Sequence, residues 1–82
     1  MHIQVKLFAN LRKNLPPGST GSKAKLTLED GATIQTLIDQ LKIPVELAQM
    51  VLVNGEQTRA FDHQLNEGDT VSIFPPVAGG LE

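Results

Sequence analysis

Gly31-Ala32-Thr33-Ile34-Gln35-Thr36-Leu37-Ile38-Asp39-Gln40-Leu41 decides the fold. Ile34, Leu37, Ile38 and Leu41 fall at i, i+3, i+4 and i+7, so a helix here carries one apolar stripe. Thr33 stands where its side-chain oxygen can cap the first turn, and Pro44 prevents the helix from running on. Glu29-Asp30-Gly31 is the turn that delivers the chain to this helix. A lone amphipathic helix needs a sheet against which to bury its stripe.

Strand patterns lie on both sides of it. Upstream, Ala24, Leu26 and Leu28 alternate with Lys25 and Thr27, and before them Met1, Ile3, Val5 and Leu7 alternate with His2, Gln4, Lys6 and Phe8. Between these strands Leu11 and Leu15 are spaced for a short helix that Pro16-Pro17 stops, and Gly18 to Ser22 has the composition of a mobile loop. Downstream, Val45 to Gln49 is a short turn, the apolar run Met50 to Val53 reads as a buried strand, and Asn54-Gly55 reverses the chain. Glu56 to Gln64 is polar around an isolated Phe61 and is expected to cross the surface until Leu65 anchors it. After the turn Asn66 to Asp69, Val71 and Ile73 alternate with Thr70, Ser72 and Phe74 in a last strand. The order strand, strand, helix, strand, strand predicts an α+β domain, a mixed sheet packed on one main helix, with the last strand placed to lie beside the first.

The 82 residues suffice for one small domain. There is no cysteine, so disulfides, zinc–thiolate sites and sulfur chemistry on the chain's own thiol are excluded. No apolar run approaches the roughly 20 residues of a membrane span and the N-terminus lacks signal-peptide character, so a cytoplasmic protein without membrane contact is expected. The net charge of −2 argues against nucleic-acid binding, yet the charges are segregated. Lys6, Arg12, Lys13, Lys23 and Lys25 all precede the first acid, Glu29, whereas the remainder carries nine acids against Lys42 and Arg59. The acidic part reads either as a solvated surface or as a docking face for a basic partner.

No enzyme motif is present. His2 and His63 lack the neighbours of a metal site or an acid–base pair. Ser19, Ser22 and Ser72 lack the setting of a nucleophile elbow, and Gly18-Ser19-Thr20-Gly21 is not followed by the Lys and helix start of a phosphate loop. The end of the chain is different. Pro75-Pro76 fixes φ twice and makes a stiff spacer, and Gly79-Gly80 has no Cβ, so the end is slender enough for a narrow tunnel. A frayed terminus is the alternative reading of the two glycines.

Leu7-Phe8-Ala9-Asn10-Leu11-Arg12, Gly31-Ala32-Thr33, Val53-Asn54-Gly55-Glu56, Gly68-Asp69-Thr70-Val71 and Phe74-Pro75-Pro76-Val77-Ala78-Gly79-Gly80, taken together, resemble the ubiquitin-like sulfur carriers of the MoaD/ThiS family. Within that family the chain is most similar to the molybdopterin synthase small subunits. The resemblance covers nearly the whole chain and implies a β-grasp fold. It further implies that a ubiquitin-activating-type adenylyltransferase, using ATP and magnesium, converts the Gly80 carboxyl to an acyl-adenylate, that sulfur then displaces AMP, and that the Gly80 thiocarboxylate supplies sulfur in the large subunit of molybdopterin synthase. The carrier itself would bind no cofactor or metal, and catalytic side chains are expected on the partners.

By the same resemblance, Gly79 lets the chain pass a constriction and Pro75, Pro76, Val77 and Ala78 form the inserted stem. Phe8, Leu11 and Phe74 are candidates for an apolar docking patch at the root of the tail, with hydrophobic core as the other reading, and Glu56, Glu67 and Asp69 are candidates for steering an encounter, with solvated turns as the other reading. The division expected is a domain over 1–74, a projecting tail over 75–80, and Leu81-Glu82 as a cloning junction or a removable cap. A thiocarboxylate needs Gly80 as a free terminus. A protein modifier, or a carrier for thiamin thiazole, cysteine or tRNA thiolation, would share the Gly-Gly end.

Overall fold

In the computed structural model of the protein, residues 1–16, 19 and 21–76 are described. Strands β1 (His2–Leu7), β2 (Lys23–Thr27), β3 (Met50–Val53), β4 (Glu56–Thr58) and β5 (Thr70–Phe74) form one sheet in the order β2-β1-β5-β3-β4. The central pair β1·β5 is parallel and the other pairings are antiparallel. Helix α1 (Ile34–Leu41) buries Ile34, Leu37, Ile38 and Leu41 in the same core as Ile3, Val5, Leu7, Val51, Val71 and Ile73. A mixed sheet with first and last strands side by side, crossed by one helix, is the expected β-grasp arrangement. Among the described residues, no helix is long and apolar enough to cross a membrane.

The helix begins as its sequence requires. The Thr36 amide donates to Thr33 Oγ1 at 3.2 Å and the Thr33 amide donates to Thr36 Oγ1 at 3.2 Å, so two otherwise unpaired amides are satisfied at the N-terminus. It ends before Pro44 takes effect, because Lys42 adopts a left-handed conformation at φ 60°. Asn14, at the end of a 3-10 helix over Ala9–Asn14, donates to the carbonyls of Leu41 and Lys42 at 3.0 and 3.1 Å. These bonds tie the first connection to the far end of α1.

Two expectations need correction. Glu56 to Thr58 does not merely cross the surface: it pairs with β3 as an edge strand, because the Asn54-Gly55 turn, with φ of 53° and 88°, folds the chain straight back. Nor is Met50 to Val53 buried throughout. Val51 faces the core, whereas Met50 is 42% exposed and Leu52 half-buried on the opposite face. The expected mobile loop lies partly outside the described residues, at Gly18 and Thr20. Val77, Ala78, Gly79, Gly80, Leu81 and Glu82 lie wholly outside them, and with them most of the expected tail.

Candidate functional site

The sheet has a helix-covered face and an open face, and register assigns residues to each. On β1 and β5 the burial alternates, with Ile3, Val5, Leu7, Val71 and Ile73 inward. Gln4, Lys6, Thr70, Ser72 and Phe74 therefore line the open face. Phe8 continues β1 in extended conformation, φ −120° and ψ 157°, and falls on that face as well.

Phe8 and Phe74 meet at the end of the central strand pair. Their rings are stacked, with centroids 4.3 Å apart and planes 6° from parallel. Met50 is the cross-strand partner of Phe74, and the Gln49 amide donates to the Phe74 carbonyl at 3.0 Å. The next residue, Pro75, has no amide to continue the ladder, so β5 stops where the stem begins. Pro75 is half-buried and Pro76 exposed. Phe8, Met50 and Phe74 thus make an apolar row at the root of the tail, with Leu52 in the next row between Ser72 and Gln57.

Leu11 does not belong to this surface. Its side chain is 0% exposed and packs in the core, where it anchors the 3-10 helix that follows Phe8. Met50 and Leu52 are the members that sequence reasoning missed. The signal available was the uninterrupted apolar run itself, since the second face of Met50 to Val53 needed an occupant.

The charges on and beside the strands separate along the strand axis, with Glu46, just before β3, as an exposed acid on the tail side. Lys6, Arg12, Lys13 and Lys23 lie toward the tail end, where β1 finishes and β2 starts. Glu29, Asp30, Glu56 and Glu67 lie at or beside the opposite ends of the strands. Asp69 lies there too, but it is 8% exposed, accepting from Asn54 Nδ2 at 2.9 Å and from the Asn66 amide at 2.8 Å. Its carboxylate holds two turns together and is not free to steer a partner. Glu67 accepts from the His2 amide at 2.8 Å and lies 3.2 Å from His2 Nδ1.

Among the described residues, no group of three His, Cys, Asp or Glu side chains is placed to hold a metal. Two surface depressions, one bordered by Asn14, Leu26 and Leu41 and the other by Val53, Gln57 and Asn66, are not lined by Phe8, Met50, Phe74 or Pro75. The site is a partly exposed apolar row that ends at Pro75.

The ThiS family model matches residues 5–80. The molybdopterin synthase sulfur carrier subunit of Escherichia coli (strain K12) is 29% identical over 85 residues, covering 95% of this chain and 99% of that protein. SAMP1, small archaeal modifier protein 1 of Haloferax volcanii, superposes with a TM-score of 0.71 at 26% identity, covering 98% of this chain and 100% of that one. A chain in the protein–protein complex of subunits 1 and 2 of molybdopterin-converting factor from Helicobacter pylori matches with a TM-score of 0.62 at 19% identity, over 98% of this chain and 100% of that one, a likeness of fold.

Proposed function

The chain belongs to the ThiS family, and on that premise we propose that it is the sulfur-carrying small subunit of a molybdopterin synthase, with Gly80 as the residue that bears the sulfur. The observation that carries this reading is the likeness to the Escherichia coli sulfur carrier subunit over 95% of the chain, with the family match running through residue 80.

A carboxylate is a poor electrophile, so the chemistry begins on a partner. A Gly80 carboxylate oxygen attacks the α-phosphorus of ATP on a ubiquitin-activating-type adenylyltransferase, pyrophosphate leaves, and an acyl-adenylate results. A sulfide equivalent then attacks the carbonyl carbon and AMP leaves, giving the thiocarboxylate. ATP and magnesium belong to that partner's reaction. In the large synthase subunit the thiocarboxylate sulfur attacks a carbon of the pterin precursor and displaces an oxygen substituent from it. Water then cleaves the acyl–sulfur link and returns the carboxylate, and each of the two dithiolene sulfurs takes one such carrier turnover. The chain's own residues do the positioning. Phe8, Met50 and Phe74 seat the domain, Pro75 to Ala78 span the entrance, and Gly79 passes the narrowest point.

Deleting Gly79 and Gly80 from a chain ending at residue 80 tests this reading. Dithiolene formation with the large subunit is expected to vanish while the circular-dichroism spectrum and unfolding midpoint stay unchanged. Retained sulfur transfer by the shortened chain would overturn it. A second reading, a protein modifier joined through Gly80 to target lysines, is favoured by the superposition on small archaeal modifier protein 1. It predicts isopeptide-linked conjugates in cells, which the carrier reading does not require.

A further inference from the structure

The ladder places three lysines on the open face, two of them in the row directly beside the apolar row and the third one row further on. One row of the sheet reads Lys23, Lys6, Ser72, Leu52, Gln57 across the five strands, and in the next row Lys25 faces Gln4. Lys6 and Lys23 are therefore direct cross-strand partners of like charge, an arrangement that costs stability. Among the described residues the ion pairs are Met1 with Asp30 and His2 with Glu67, and neither relieves these lysines. Departures from local rules that the fold does not need concentrate at functional surfaces. The strip adjoins Phe8, so whatever seats on the apolar row also covers Lys6 and Lys23.

We propose that Lys6, Lys23 and Lys25 select a carboxylate-bearing protein surface, the face of the large synthase subunit that seats on Phe8, Met50 and Phe74. This rests on the function proposed above and names the chemistry of that partner. A protein is the occupant because the strip is continuous with an apolar row at the root of the inserted stem. A polyanion following the molecule lengthwise would run onto Glu29, Asp30, Glu56 and Glu67 at the other end. Like charges repel across the empty face, and partner carboxylates would remove that repulsion on docking. Fold stability and partner affinity therefore pull in opposite directions at Lys23.

The test is calorimetric titration of the large subunit from the same organism with the full chain, at low and at physiological salt. Wild-type affinity is expected to fall as salt rises. Lys23→Glu creates an opposite-charge pair with Lys6, so its thermal midpoint is expected at or above that of wild type while its affinity drops about tenfold. Lys23→Gln, which removes the charge without reversing it, is expected to lose about threefold. Affinity unchanged in both variants, or insensitive to salt, would overturn the proposal. So would tighter binding of wild type to a single-stranded RNA 20-mer than to the large subunit, lost in Lys23→Glu, because the strip would then belong to nucleic acid. A wild-type chain that does not bind the large subunit at all overturns the proposed function and this inference together, whereas wild-type binding matched by Lys23→Glu removes this inference alone.

Discussion

Phe74 lies flat against Phe8, ring centroids 4.3 Å apart, at the point where β5 gives way to Pro75. The stack joins the last residue of one central strand to the extension of the other, so the direction in which the stem leaves is set by two parallel strands rather than by one. Gln49 adds a third tether through its bond to the Phe74 carbonyl. On the proposed function, a fixed root would spare the binding free energy otherwise spent on ordering the stem after contact.

Replacing Phe8 by Ala removes the stack but leaves β1 and β5 paired. Unfolding in urea is expected to show a loss of about 1–2 kcal/mol, the ring contact plus part of the buried area. Phe74→Asp sets a charge in the apolar row, and binding to the large subunit is expected to weaken at least about tenfold, read by calorimetry. Unchanged affinity would remove Phe74 from the docking surface.

Asp69 bridges the turn before β5 and the β3–β4 hairpin through Asn66 and Asn54, and Asn54 in turn accepts from the Thr70 amide at 2.9 Å. Asp69→Ala deprives both donors of their acceptor, and a destabilisation of about 1–3 kcal/mol is expected in urea unfolding. Partner affinity of the folded fraction should be unaltered, because this network lies at the end of the sheet away from Phe74.

The Glu67 carboxyl is held below its usual value of 4.5, chiefly by the hydrogen bond from the His2 backbone amide, against desolvation, with smaller lowering contributions from the His2 ring and the N-terminal ammonium. The unfolded chain therefore takes up this proton first as the pH falls. The stability from this contact is present above the usual carboxylate value and is lost as pH drops through the lower, folded one. Glu67→Gln is expected to flatten that acid limb of the stability curve. His2→Ala keeps the backbone donor, so a carboxyl titration followed by NMR should still find Glu67 depressed. A return to the ordinary value would assign the effect to the ring.

Much of this was legible in the sequence because the strongest patterns coincide with the strongest forces. The stripe of Ile34, Leu37, Ile38 and Leu41 and the alternation of Ile3, Val5 and Leu7 are core contacts, and Asn54-Gly55 occupies two left-handed positions. Strand β4 escaped because Glu56-Gln57-Thr58 has no apolar member, and its pairing is imposed by the turn before it. Leu11 was ambiguous, since an apolar residue in a short helix fits a core and a surface equally well. Phe8 and Phe74 were legible through their place beside the stem, whereas Met50 and Leu52 were hidden in a run without alternation. The lysines of β1 and β2 lie toward the tail end because β1 and β5 run parallel, and most of the acids, though not Glu46, lie at the opposite end.

The most direct test of the account is the intact mass of a chain ending at Gly80, after incubation with its activating enzyme, ATP, magnesium and a sulfur donor. The account predicts a species in which one oxygen is replaced by sulfur, located at Gly80 by fragmentation and absent when ATP is omitted. A chain that is adenylated yet never acquires sulfur, or that acquires it at any other residue, would contradict it.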